Sequence, residues 1–227
     1  MRLGVLFSGG KDSTLALHIA TEKNTVTTLI TLTSKNKESY MFHTPNIEMT
    51  TLQAEALELP LISIPTEGKK ETELIDLENA IAEAKKRFDI EGIVTGTVES
   101  VYQTTRIQRI CNKLNLHQLN PLWKYNQKTL LEVLMAKNFQ VIISGVFAYP
   151  LDKTWLGKQI DTNLIAQLLE LQTKYSINPA GEGGEIETTV LDAPLFKQKI
   201  KIIDATTQWQ GSSGTYHIKT AHLTPKP

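Results

Sequence analysis

Leu6-Phe7-Ser8-Gly9-Gly10-Lys11-Asp12-Ser13-Thr14-Leu15 is the stretch from which the fold is read. Before it, Arg2–Phe7 has the pattern of a short apolar strand. After it, Ser13–Thr21 opens as a helix, with Leu15, Ile19 and the small Ala16 and Ala20 available to pack on a sheet. A strand, a Gly-Gly turn and a helix N-terminus in that order make an anion site. Glycine permits positive φ and lets backbone N–H groups approach a phosphate closely. The helix start adds unpaired N–H donors and about half a positive charge. Lys11 brings a full charge, Ser8 and Ser13 bring hydroxyl donors, and Asp12 brings a carboxylate to hold Mg²⁺ or cap the helix.

A tight turn between strand and helix would need only the two glycines. The full string SGGKDS carries more, and it is not the Walker A pattern, which puts Ser or Thr directly after the Lys and a Gly five residues before the second Gly. Here Asp12 follows Lys11, and Val5 stands in the earlier glycine's place. The string resembles the PP-loop of the ATP pyrophosphatases, which split ATP into AMP and pyrophosphate while activating a carboxylate or carbonyl oxygen. That reaction type comes from the resemblance alone.

Working outward, Val26–Thr33 is β-rich and apolar, as a buried parallel strand should be. A polar linker leads to Phe42-His43-Thr44-Pro45-Asn46, which places His43 in a loop beside the carboxyl end of that strand. A lone loop histidine is as a rule a solvated surface residue. Met49, Leu52, Ala56 and Leu59 have helical spacing, and Leu61–Ile64 reads as a third strand. Glu71–Phe88 is the clearest helix, with Leu74, Leu77, Ile81, Ala84 and Phe88 on one face. A fourth strand, ending near Gly96, and a fifth at 116–119 flank a helix over about 100–114. On that helix Ile107, Ile110, Cys111 and Leu114 form the core stripe, while Tyr102, Arg106 and Arg109 share a second face. Arg106 suits a phosphate or a carboxylate bidentately, or is a surface arginine on a charged helix, and spacing does not separate these.

Strands near 2–7, 26–33, 61–64, 92–96 and 116–119, alternating with helices, predict a five-stranded parallel Rossmann-like sheet with helices on both faces. Right-handed crossovers then bring the loops at 8–13, 34–46 and 96–102 to one edge, where α/β sheets bind ligands. The second half changes character. A helix over 129–137 and an apolar strand over 140–146 precede a helix over 162–174, and then strand patterns follow at 188–191, 196–203 and 214–221. These are antiparallel signals, so a smaller C-terminal α+β domain is expected, with the division between residues 1–123 and 124–227. Thr224–Pro227 is expected to fray.

Between the last helix and these strands lies Gly181-Glu182-Gly183-Gly184-Glu185-Ile186-Glu187. Three glycines and three carboxylates in seven residues do not read as core. A hydrophilic hairpin loop would explain them, but the glycine density suggests backbone brought close to a ligand or another chain. The carboxylates can hold Mg²⁺ or attract a cation such as ammonium or a quaternary amine, with Trp155, Tyr149 and Trp123 as candidate aromatic faces.

The whole chain narrows the partners. Lys+Arg and Asp+Glu are equal at 24 each, which argues against stable nucleic-acid binding and against an anionic membrane surface. The single Cys111 excludes an intramolecular disulfide. With no apolar run of membrane-spanning length and no signal-peptide pattern at the start, a cytoplasmic protein is expected.

SGGKDS at 8–13, FHTPN at 42–46, Tyr102–Arg106 with Cys111, PLW at 121–123, and GEGGEIET at 181–188 followed by LDAPLF at 191–196 together resemble the diphthine–ammonia ligases. The similarity runs over essentially the whole length, in the short archaeal-type form without appended domains. The acidic glycine motif is its specific part, because the PP-loop is shared with many unrelated ligases. It implies ATP-dependent amidation of diphthine on translation elongation factor 2: the carboxylate is adenylated, pyrophosphate leaves, and ammonium supplies the ammonia that displaces AMP. ATP and Mg²⁺ would be bound by Ser8, Gly9, Gly10, Lys11, Asp12, Ser13, His43, Gly96, Tyr102 and Arg106. Lys11, Asp12, Glu182, Glu185 and Glu187 would carry the chemistry, with Asp12 as the Mg²⁺ ligand and the acidic loop handling the substrate. A PP-loop ligase for another carboxylate or a tRNA base, and an ATP-binding module without turnover, stay open, as does a homo-oligomer.

Overall fold

The structure, a computed structural model, describes residues 1–34, 45–68 and 72–226. The first sheet holds β1 (Arg2–Leu6), β2 (Thr25–Ser34), β3 (Leu61–Thr66), β4 (Gly92–Val94) and β5 (His117–Leu119), in the order β3-β2-β1-β4-β5. Every pairing in it is parallel. Between the strands run α1 (Lys11–Thr21), α2 (Thr50–Leu57), α3 (Thr72–Phe88) and α4 (Val101–Lys113).

Alternate residues of one strand feed different cores, which is why these strands read as unbroken apolar runs. Leu3, Val5, Leu29 and Val94 join α1 and α2 on one face. Ile30, Leu32, Ile62 and Ile93 meet α3 and α4 on the other, where Leu77, Ile81, Ile107 and Cys111 are buried. Burial pushes the Cys111 thiol up to about 11, so it packs as a small apolar group.

The second sheet follows α5 (Gln127–Ala136). It contains β6 (Gln140–Val146), then, after α6 (Thr162–Tyr175), β7 (Ile186–Asp192), β8 (Gln198–Gln210) and β9 (Ser213–Pro225). Its order is β7-β6-β9-β8 and its pairings are antiparallel. The face carrying Val141, Ile143, Val190, Ile200 and Ile218 shares one core with α1 and α2. The two sheets are therefore welded, and β7 runs against the start of α1.

The expected fraying of the C-terminus is corrected. Lys199 and Gln198 pair with Thr224 and Pro225, and Lys226 Nζ donates to the Ala193 carbonyl (2.7 Å). Both strands of this hairpin are longer than their apolar patterns, because the Gly211 turn, at φ 59°, returns the chain to pair over 13 residues each way, with a register irregularity around Asp204. No described helix is long and apolar enough to cross a membrane.

Candidate active site

Strand order reverses direction of growth at β1, and the loops after β1 and β4 open on the crevice this creates. A cavity of about 410 Å³ lies there. Ser8, Lys11, Asp12, Ser13 and residues 95–98 form one wall, and the stretch leading into β7, including Glu182 and Glu187, forms the other.

The phosphate loop is shaped from behind. Gly9 sits at φ 76°, a conformation that disfavours side chains, and a Cβ there would collide with the Gln53 side-chain oxygen. Gly9 and Gly10 do not line the cavity themselves; they allow the turn that puts Ser8 and Lys11–Ser13 there. The N-cap residue of α1, Gly10, has no side chain to cap it, and although the Lys11 N–H goes to Thr188 Oγ1, the rest of the first turn keeps N–H donors for an anion. Ser13 Oγ accepts from the Ser8 N–H (3.3 Å) and donates to the Gly10 carbonyl (3.2 Å), closing the loop on itself. Gly96 is pressed against the same turn. A Cβ on it would lie 2.6 Å from Ser13 N and 2.7 Å from the Asp12 carbonyl carbon.

Lys11 is buried, at 3% exposure, yet carries its charge. Burial works against the ammonium, but Asp12, Glu182 and Glu187 outweigh it and raise its pKa. Its Nζ lies 2.7 Å from Asp12 Oδ2 and 3.9 Å from Glu182 Oε1. Among the described residues, one cation beside three carboxylates leaves negative charge in excess. Glu182 is accordingly pushed up to about 7, by burial first and then by Asp12. Glu187 also rises to about 7, by burial first, with Lys11 opposing the shift. Such a group can exchange a proton near neutrality.

Glu185 behaves differently from its two neighbours. Its Oε1 accepts from the Asn178 N–H (2.8 Å) and Asn178 Nδ2 (2.9 Å), and its Oε2 from the Gly183 N–H (2.9 Å). It is turned into its own loop and does not line the cavity. Gln127 extends the network, donating from Nε2 to Asn178 Oδ1 (3.0 Å) and accepting from the Ala180 N–H (3.1 Å).

Other expected site residues are dispersed. Tyr102 and Arg106 stack on each other, with the guanidinium 3.4 Å from the ring centroid, while Gln103 and Ile107 of the same helix face the cavity. His43 lies outside the described residues. Of the aromatics, Trp155 is buried, with Lys158 over its ring at 5.3 Å. Tyr149 pairs edge-on with Tyr175 (5.5 Å), and neither they nor Trp123 line the cavity. One ring does lie beside the acidic stretch: Phe147, 39% exposed, is laid across Gly145 next to Glu187 Cβ.

Three residues were missed by sequence reasoning. Gln53 donates from Nε2 to the Gly9 carbonyl (2.9 Å) and the Val190 carbonyl (2.8 Å). Thr188 Oγ1 accepts from the Lys11 N–H (3.1 Å). Asn46, at φ 62°, accepts from the Ile218 N–H (2.8 Å) and donates to the Tyr216 carbonyl (2.9 Å). Gln53 was signalled as a polar residue on the apolar stripe of a short helix, and Asn46 and Thr188 close the FHTPN and GEGGEIET strings; their contacts depend on strands distant in sequence.

The N-terminal diphthamide synthase domain model matches residues 1–118 and the C-terminal one matches residues 126–224. The chain belongs to the diphthamide synthase family. Members of that family are ATP-dependent ligases, and the phosphate loop and acidic wall lie within its two matched regions. Among curated proteins, diphthine–ammonia ligase from Bos taurus is 37% identical over 90% of this chain and 84% of its own. The Homo sapiens enzyme of that name is 36% identical over 90% and 84%. In Schizosaccharomyces pombe the identity is 32% over 96% of this chain but only 39% of the much longer relative. Among solved structures, a predicted subunit of tRNA methyltransferase from Methanocaldococcus jannaschii is 21% identical with a TM-score of 0.44, covering 86% of this chain and 98% of that one. That overlap is too loose to bear on function.

Proposed function

We propose that the chain converts diphthine on translation elongation factor 2 to diphthamide, consuming ATP and ammonium and releasing AMP and pyrophosphate. The division at 123/124 into an ATP-binding part and a substrate-binding part belongs to the same reading. What carries it is one cavity with a phosphate loop on one wall and titratable carboxylates on the other, joined by Lys11.

ATP lies with its β- and γ-phosphates over the first turn of α1. The diphthine carboxylate attacks the α-phosphorus, and the bond to the bridging oxygen breaks. Lys11, charged and fixed by Asp12, neutralises the departing pyrophosphate. The residues present fit Mg²⁺: Asp12 Oδ1 is buried and takes no hydrogen bond among the described residues. Nucleotide sites commonly hold that ion by one or two carboxylates plus phosphate oxygens. Bound there, it would supply further charge neutralisation. In the second step, ammonia adds to the acyl carbon and AMP leaves. Ammonium must first lose a proton, and Glu182 or Glu187, poised near 7, can accept it. The quaternary ammonium of diphthine suits the same negative wall.

Product analysis tests the reading. The protein is incubated with Mg-ATP, ammonium and diphthine-bearing elongation factor 2, omitting each in turn. AMP, pyrophosphate and diphthamide are expected only from the full mixture. AMP formed equally without the factor would point to another acceptor, and ATP bound but never cleaved would point to a nucleotide-binding module.

A further inference from the structure

We propose that Gln53 is a positioning residue for ATP, acting through the Gly9 carbonyl and strand β7. It projects from α2 behind the phosphate loop and has 0% exposure. Its single amide nitrogen donates to two carbonyl oxygens, Gly9 on the loop (2.9 Å) and Val190 on β7 (2.8 Å). The Val190 N–H donates to the same Gly9 oxygen (3.0 Å), so that carbonyl is held from two sides.

A trans peptide is planar, with its C=O and N–H pointing in opposite directions. Pinning the Gly9 carbonyl backwards therefore aims the Gly10 N–H forwards, toward Ser8 Oγ (3.4 Å), a residue of the cavity wall. The next peptide is fixed by the same strand, through the Lys11 N–H to Thr188 Oγ1 (3.1 Å). Consecutive peptides of the phosphate loop are thus set by β7, and Gln53 is the clasp between them. The side-chain oxygen of Gln53 is buried and takes no hydrogen bond among the described residues, packing instead against Gly9. A residue present only to fill volume would not leave a buried acceptor empty. Because β7 also carries Glu187, the clasp fixes the distance between the phosphate wall and the acidic wall.

The full chain carrying Gln53→Met, which keeps the volume and removes both donors, is compared with wild type. Affinity for α,β-methylene-ATP is measured by calorimetry, and KM for ATP and kcat by AMP release. The dissociation constant and KM are expected to rise about tenfold, as for one or two lost hydrogen bonds, with kcat within about threefold, whatever the accompanying fall in melting temperature. A residue with a purely structural role would lower the melting temperature and the active fraction, leaving KM alone. Should Gln53→Met fail to fold, Gln53→Asn, which withdraws the amide by one methylene, carries the same readouts. Wild-type affinity and KM in a folded variant, or a loss confined to kcat, overturns the proposal. Analogue binding needs no acceptor, so its outcome is independent of whether diphthine is the substrate.

Discussion

The loop at Ser8–Ser13 and the stretch at Gly181–Thr188 face each other across one cavity; both are glycine-rich and charged, yet they are held in opposite ways. The phosphate loop is gripped from outside, by Gln53, Val190 and Thr188, at its backbone. The acidic stretch holds itself. Glu185 gathers Asn178 and Gly183 around one buried carboxylate, which frees Glu182 and Glu187 to face the cavity. A loop that uses backbone as ligand needs a particular turn and hence a recognisable string. A loop that uses side chains needs a scaffold, and one of its three similar glutamates has become that scaffold.

Removing the cation that joins the two walls should have the largest effect. Lys11→Ala is expected to cut AMP formation by about 10²–10³-fold, the scale for losing one preorganised electrostatic contact, with an unchanged circular dichroism spectrum. An active, folded Lys11→Ala protein would mean that the loop's N–H groups suffice.

Glu185→Ala separates the two kinds of support. Three hydrogen bonds to one carboxylate are lost, costing the acidic stretch on the order of 2–3 kcal/mol. Diphthamide formation should fall about tenfold or more, while binding of α,β-methylene-ATP stays within about twofold, since Thr188, the residue of that stretch that grips the phosphate loop, is held separately by pairing with Ile143 of β6. If both fall together, the walls are not separately held.

The smallest effect concerns the carboxylates that face the cavity. Glu182 and Glu187 titrate near 7 in the folded protein, above the ordinary 4.5. A raised carboxylate favours the fold while protonated, so this contribution is full below about 4.5 and lost as pH rises through about 7. The melting temperature of the ligand-free protein should fall over that window, and Glu187→Gln should flatten the fall. An equally steep fall in the variant would place the proton elsewhere.

Five parallel strands and their order of appearance were legible because two-faced burial forces continuous apolar runs, and SGGKDS was legible as a strand-to-helix turn because the left-handed Gly9 tolerates few residue types. The acidic stretch was legible as a cluster. Its division of labour was not, because Glu182, Glu185 and Glu187 are chemically alike and only burial tells them apart. At Tyr102 and Arg106 helical spacing fixes only that they are neighbours, and they stack on each other; a role toward the nucleotide is a matter of tertiary placement. The long β8–β9 hairpin was half-read, since its exposed positions weaken the alternation that marks a strand.

By itself, then, the sequence determined a glycine turn from strand to helix on a parallel sheet, because φ, backbone approach and apolar period are local properties. Only the tertiary structure decided that β7 reaches across from the second sheet to set that turn, and that Lys11 stands between two walls of one cavity. Those contacts join residues more than 130 positions apart, as from Gln53 to Val190. Their partners are chosen by how two sheets share one core, which no local pattern encodes.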